Sequence, residues 1–275
     1  GAYALDANTT GDYNTAVGKN VLTTATEASG NTGVGWRALE DATGSYNTAV
    51  GYAAGLNIST GGFNTAIGTG ALDANTTASN NTALGYDALG ANTTGDYNTA
   101  VGSGTLSSST TTDGNTAIGY NALTANTTGT QNTAVGRQAL DANTTGQQNN
   151  AFGDNALGGN TTGSYNVAVG EQSLYANNGS DNTGCGHRTL QANTTGAENT
   201  AVGSNCLDAN TTADGNTAVG KSALGANTTG NYNVAIGHNS LDANTTSNDN
   251  VAVGTNTLTT ITSGGAGNAR QNTAV

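Results

Sequence analysis

One block, Asn-Thr-Ala-Val-Gly or a close variant, recurs along the whole chain and constrains every other reading of it. It begins at Asn14, Asn31, Asn47, Asn64, Asn81, Asn98, Asn115 and Asn132, and again at Asn149, Asn166, Asn182, Asn199, Asn216, Asn233, Asn250 and Asn272. The spacing is 17 residues, shortened to 16 after Asn31 and Asn166 and lengthened to 22 after Asn250. The consensus reads N-T-A-V-G-x-x-A-L-x-A-N-T-T-G-x-Y. A short fixed period marks a stack of like units, each burying its apolar face against its neighbours. Residues 1–275 therefore read as a single continuous repeat array, with the excess at about 259–267 leaving the coil as a small loop. The chain stops at Val275, just before a Gly, and starts at Gly1, so joining its ends keeps the 17-residue phase. That phasing predicts either a window on a longer array or copies continuing head to tail.

Seventeen residues cannot hold the paired helices of the common helical repeats. They suit one coil of an all-β solenoid, a parallel β-helix or β-roll of about sixteen coils with no helix, each coil built of two or three short strands. Zero Pro among 275 residues fits, because every coil bonds to the coils on either side and a Pro deletes a donor.

The columns of the repeat divide the labour. The Gly after Val is present in all sixteen copies, Gly18, Gly136 and Gly237 among them, which predicts positive φ or close backbone approach at a corner. The leading Asn, as in Asn14, Asn132 and Asn233, predicts an amide ladder. Val, Ile, Leu, Phe152 or Cys185 fill the Val column, read as core at Val17, Val135 and Ile236. Leu recurs four residues after the Gly and adds Leu22, Leu140 and Leu241 to that core. In a strand, Thr and Val of N-T-A-V face one side and Asn and Ala the other. Both sides are restricted, so both are expected to be covered. The Ala column yields only to Gly33 and Gly184, a sign of tight packing.

The N-T-A-V-G-x-x-A-L core resembles the S-V-A-I-G-x-x-S repeat of trimeric autotransporter adhesin heads, and the N-T-A-V-G repeats of tail-fibre-like proteins of phages and bacteria. Every repeat carries the likeness. It implies a trimeric β-roll displayed outside the cell and used for attachment.

Composition excludes several other classes. Six basic residues against eighteen acidic ones, net charge −12, cannot neutralise a nucleic-acid backbone. No apolar run approaches the ~20 residues of a membrane span, so no membrane insertion is expected. Charged residues make up 9% of the chain and aromatic residues 5%, too few for an ordinary enzyme core. Gly33-Val34-Gly35-Trp36-Arg37-Ala38 matches a dinucleotide fingerprint only because Gly stands in the Ala column; the strand and helix that motif needs are not foreseen. Cys185 and Cys206 lack a metal-ligand spacing and read as two buried thiols. His187 and His238 sit in the variable column after the Gly, with no Ser-His-Asp set around them. No catalytic residue and no resident cofactor or metal is expected; calcium bridged by Asp6, Asp73, Asp141, Asp208 and Asp242 is weighed and set aside, because these carboxylates are too intermittent.

Two surface features remain. Trp36, Tyr52, Tyr86 and Tyr120 share the variable column and predict one exposed aromatic edge, able to meet glycan or simply to stack. The N-T-T tripeptide occurs ten times, at Asn8, Asn75, Asn92, Asn126, Asn143, Asn160, Asn193, Asn210, Asn227 and Asn244. Each is a formal glycosylation acceptor, and each is equally a turn in which Asn caps the backbone. An extracellular structural or adhesive fibre is the leading expectation, on a cell surface, a virion or a secreted filament, with the chain itself as chief partner and surface glycans second. An ice- or crystal-binding solenoid is the lesser alternative: such faces want Thr-x-Thr, whereas adjacent Thr-Thr side chains point opposite ways and the other Thr column accepts Val.

Overall fold

The computed structural model describes residues 1–259 and 271–275; apart from Thr259, the loop expected at 259–267 lies outside them. The chain is an all-β solenoid, with strand and turn and no helix among the described residues. It divides into two compact units, Gly1–Arg137 and Gln138–Val275. The first carries strands β1 (Thr15–Val17) to β8 (Thr133–Val135), and the second β9 (Asn150–Phe152) to β16 (Thr273–Ala274). Within each unit every strand pairs in parallel with the strand of the next coil. Registers follow the repeat, as in Thr15↔Thr32 and Val17↔Val34, or Thr200↔Thr217 and Val202↔Val219.

Each coil holds one short strand, of three residues except for the two of Thr273–Ala274, not the two or three strands expected. The reason lies in the backbone of the remaining residues. In coil after coil the residue two before the Leu, the Leu itself and the residue before the Asn adopt left-handed φ, as in Asn121 (54°), Leu123 (53°) and Gln131 (58°). Three left-handed residues per coil bend the chain too often for further strands. Turns still bond from coil to coil: the Leu39 amide donates to the Ala54 carbonyl at 3.0 Å, and Thr9 donates to Thr26 at 2.9 Å.

A left-handed conformation costs a residue with a Cβ about 1–2 kcal/mol. Full burial of a Leu side chain contributes about 1.5–3 kcal/mol. Burial therefore carries the strained Leu column, whose Leu22, Leu140 and Leu241 are wholly shielded from solvent.

The rest of the interior corrects the expected core. Val17 is 55% exposed and Ile236 41%, with Val135 half-buried; the side chains pointing in from each strand are the leading Asn and the Ala. The coil closes around small residues and amides, leaving the larger apolar side chains of the Val column outside. The Thr/Val side of the sheet is accordingly bare in the described chain, where a cover was expected.

The Gly column meets both of its expectations. Gly18 has φ of +139°, and a Cβ there would stand 1.9 Å from the carbonyl oxygen of Gly35 in the next coil. The two Gly exceptions in the Ala column each face a larger residue in the column before the Leu. Gly33 stands where a Cβ would lie 2.5 Å from Val21 Cγ1, and Gly184 where it would lie 2.6 Å from Ser173 Oγ. Gly55 takes the place of a Leu, and the buried Ile58 fills the space.

Candidate functional surfaces

Interior amides form two ladders. In the first, the Asn31 backbone amide donates to Asn14 Oδ1 at 2.9 Å, and the same bond links Asn132 to Asn115 (2.9 Å) and Asn233 to Asn216 (2.9 Å). The Nδ2 groups cross the coil to a carbonyl, Asn14 to Ala28 at 2.7 Å and Asn233 to Ser247 at 2.8 Å. Buried amides are costly unless bonded, and stacking satisfies them.

The second ladder uses the Asn of N-T-T. Its Nδ2 donates to the carbonyl three residues on, from Asn8 (3.0 Å), Asn75 (3.1 Å), Asn92 (3.0 Å), Asn126 (2.9 Å) and Asn143 (3.0 Å). Asn160 (3.0 Å), Asn193 (2.8 Å), Asn210 (3.1 Å), Asn227 (2.9 Å) and Asn244 (3.1 Å) do the same. All except Asn8 are buried, so a glycan on Nδ2 would break the turn and find no room; the turn reading replaces the glycosylation reading at these positions, and Asn8 alone is exposed. The first Thr of N-T-T adds a hydroxyl ladder, with Thr76 Oγ1 donating to the Thr93 carbonyl at 3.0 Å.

Sequence reasoning missed a further ladder. Where the second residue before the Asn carries a side-chain oxygen, it accepts from the preceding coil: the Ser79 amide donates to Asp96 Oδ1 (2.6 Å), Asp96 to Asp113 (2.8 Å), Ala197 to Asp214 (2.8 Å) and Asp214 to Asn231 (2.8 Å). Its signal was available: the column is rich in Ser, Asp and Asn, which accept backbone bonds well.

Trp36, Tyr52, Tyr86 and Tyr120 are all exposed, as the variable column predicted. Trp36 and Tyr52 stack across adjacent coils with centroids 4.7 Å apart and planes 18° from parallel, and Arg37 lies 5.0 Å from the Trp36 ring. A second exposed aromatic column precedes the Asn, where Tyr46 and Phe63 stack at 5.0 Å.

The cysteines separate. Cys206 is buried, and loss of solvation pushes its thiol up to about 12 against a backbone bond from Val202 that lowers it. Cys185 is exposed, which corrects the buried pair: it stands in the outward Val column. His187 and His238 are exposed in the variable column. Burial raises the carboxyls of Asp73, Asp87, Asp141 and Asp208 above their usual range, and the Asp87 charge adds to the effect at Asp73. No group of three or more His, Cys, Asp or Glu converges among the described residues, nor does a pocket open among them. The chain matches no protein-family model, no curated protein and no solved structure.

Proposed function

We propose that this chain is a structural and adhesive segment of an extracellular fibre, carried on a cell surface, a virion or a secreted filament, with further copies of itself as chief partner. One observation carries the reading: the same bonds recur coil after coil within each unit, from strand amides (Thr15 to Asn31, Thr217 to Asn233, each 2.8 Å) to the Asn and Thr side chains. Such a stack resists extension along its axis, because neighbouring coils are joined by many bonds that must break together. The residues kept constant between copies are those that hold the coil, and among the described residues no converging set of His, Cys, Asp or Glu competes with that role.

Electron microscopy and mass measurement of native material, combined with labelling of intact cells or virions by an impermeant reagent, test the proposal. Slender surface-labelled filaments containing the chain are expected. A monodisperse particle confined inside the cell would overturn it.

The exposed aromatic column favours a second reading, attachment to surface glycans. Tyr52, Tyr86 and Tyr120 occur at every second coil, about 9.6 Å apart along a stack of ~4.8 Å steps. Aromatic faces at such intervals offer stacking platforms for sugar rings. Glycan-array binding that disappears in Tyr86→Ala would support this reading, and an array without a hit would remove it.

A further inference from the structure

The outward side of the sheet in the first unit carries a feature the fold does not require. Its Thr column is Thr in all eight coils: Thr15, Thr32, Thr48, Thr65, Thr82, Thr99, Thr116 and Thr133. Thr is not needed there for packing, since Val167, Val234 and Val251 take the same place in the second unit, in strands of the same register. Nor is the hydroxyl needed for internal bonding. Hydroxyls of the N-T-T column donate to the next coil, as from Thr76 and Thr93, whereas the Thr hydroxyls of these eight strands have no hydrogen-bond partner among the described residues. All eight are half-buried or exposed. Eight repeats of an outward hydroxyl with no internal role point to something outside the chain.

Two residues further along each strand, on the same side, stands Val, Ile or Leu, from Val17 to Val135. The face is thus Thr-x-Val, repeated in register. Backbone pairing sets its periods at ~4.8 Å between coils and ~6.6 Å between the two columns. A regular two-dimensional array of outward hydroxyl and methyl groups can order the water that lies on it. Neither column contains an ionisable side chain in this unit, so a charged mineral or a polyanion has nothing to pair with. Nearly all of the side chains are β-branched and stiff, so little rotamer freedom is lost when a rigid lattice settles on them. The area also argues against a protein occupant. Eight coils at ~4.8 Å with a width of ~10 Å offer about 350 Å², roughly half of the ~800 Å² that each partner contributes to a stable interface.

We infer that the Thr/Val face of the first unit binds ice, its methyl groups holding ordered water while the hydroxyls join the lattice. This goes beyond the fibre reading, and each can fail without the other. The adjacent Thr-Thr of N-T-T, which counted against such a face in the sequence, is not part of it.

The test uses the full chain. Nanolitre osmometry and uptake into slowly growing ice should show faceted crystals, a hysteresis gap and enrichment of protein in the solid. Thr82→Tyr puts bulk without charge in the middle of the face and should abolish all of these, with circular dichroism in the cold unchanged. His187→Ser, an exposed residue off the face, should leave them intact. Where Thr82→Tyr disturbs the spectrum, Thr65→Lys gives the same reading. A full chain that neither shapes nor enters ice overturns the inference, as does full activity in a folded Thr82→Tyr. Light scattering that finds a multimer dissociated by Thr82→Tyr overturns it too, by assigning the hydroxyls to an interface between copies.

Discussion

At the scale of single residues, the backbone is more selective than hydrophobicity. The Leu column lies at left-handed φ, 53° at Leu123 for example, and is never Ile or Val. The other two left-handed columns also exclude Val, Ile and Thr, in a chain otherwise rich in Thr. A second heavy atom on Cβ crowds the carbonyl in that region, so β-branched residues are genuine outliers there. The Val column, in extended strand, admits all shapes. Leu123→Ile keeps the volume and polarity of a wholly buried side chain, yet should destabilise by about 1–3 kcal/mol through the backbone alone. Tyr120→Ser, at a residue 57% exposed, should change stability by less than about 0.5 kcal/mol. Urea midpoints of the two variants make the comparison; equal losses would place the constraint elsewhere.

Among coils, the Gly exceptions in the Ala column are paired with larger residues and report contact. Val21 is a large residue in a small column, and Gly33 in the next coil is the small residue that admits it. A methyl group at Gly33 would lie 2.5 Å from Val21 Cγ1, so Gly33→Ala should cost about 1–3 kcal/mol by overpacking. Val21→Ala combined with Gly33→Ala recreates the Ala/Ala arrangement of the other coils and should recover most of that loss. The coupling is read by a double-mutant cycle. Independent, additive effects would show that the two side chains do not compete for one space. The amide ladders act at the same scale: a single Asn bonds within its own coil and to the neighbouring one, so no coil satisfies its own interior.

For the whole molecule, electrostatics rather than packing sets the response to conditions. The chain carries a net −12, and its described residues form no helix long and apolar enough to cross a membrane. Asp73, Asp87, Asp141 and Asp208 are held above the usual carboxylate value of 3.8, chiefly by burial. A raised carboxyl means that the folded chain binds the proton more tightly than the unfolded one. The corresponding stability is full below about 3.8 and is lost as pH rises through the higher folded values. Lowering pH from about 7 toward 4 should therefore raise the urea midpoint, the reverse of ordinary acid denaturation, and it also relieves self-repulsion of the net charge. Asp73→Asn should raise the midpoint at neutral pH and flatten the profile. A midpoint that falls steadily on acidification would contradict both expectations.

Much was legible in the residues alone. Period, parallel in-register pairing, the corner at Gly18, the Leu core, the Asn ladder and the exposed edge from Trp36 to Tyr120 follow from comparing copies of the repeat, because a stacked coil meets only copies of itself. The exclusion of β-branched residues two before the Leu, at the Leu and before the Asn was equally present as a signal, and it announces the left-handed turns that leave one strand per coil. What the sequence could not decide was which side of N-T-A-V points inward. By transfer energy Val belongs inside and Asn outside, and on that scale Val17, Val135 and Ile236 were the core. Burying Asn14, Asn132 and Asn233 becomes favourable only when their amides are satisfied by the adjoining coil and by a carbonyl across the same coil. Those partners lie 13 to 17 residues away and are brought near only by closure and stacking of the coils. The same nonlocal bonds turn the Thr/Val side outward, so tertiary structure, by satisfying amides, chose the face this protein presents.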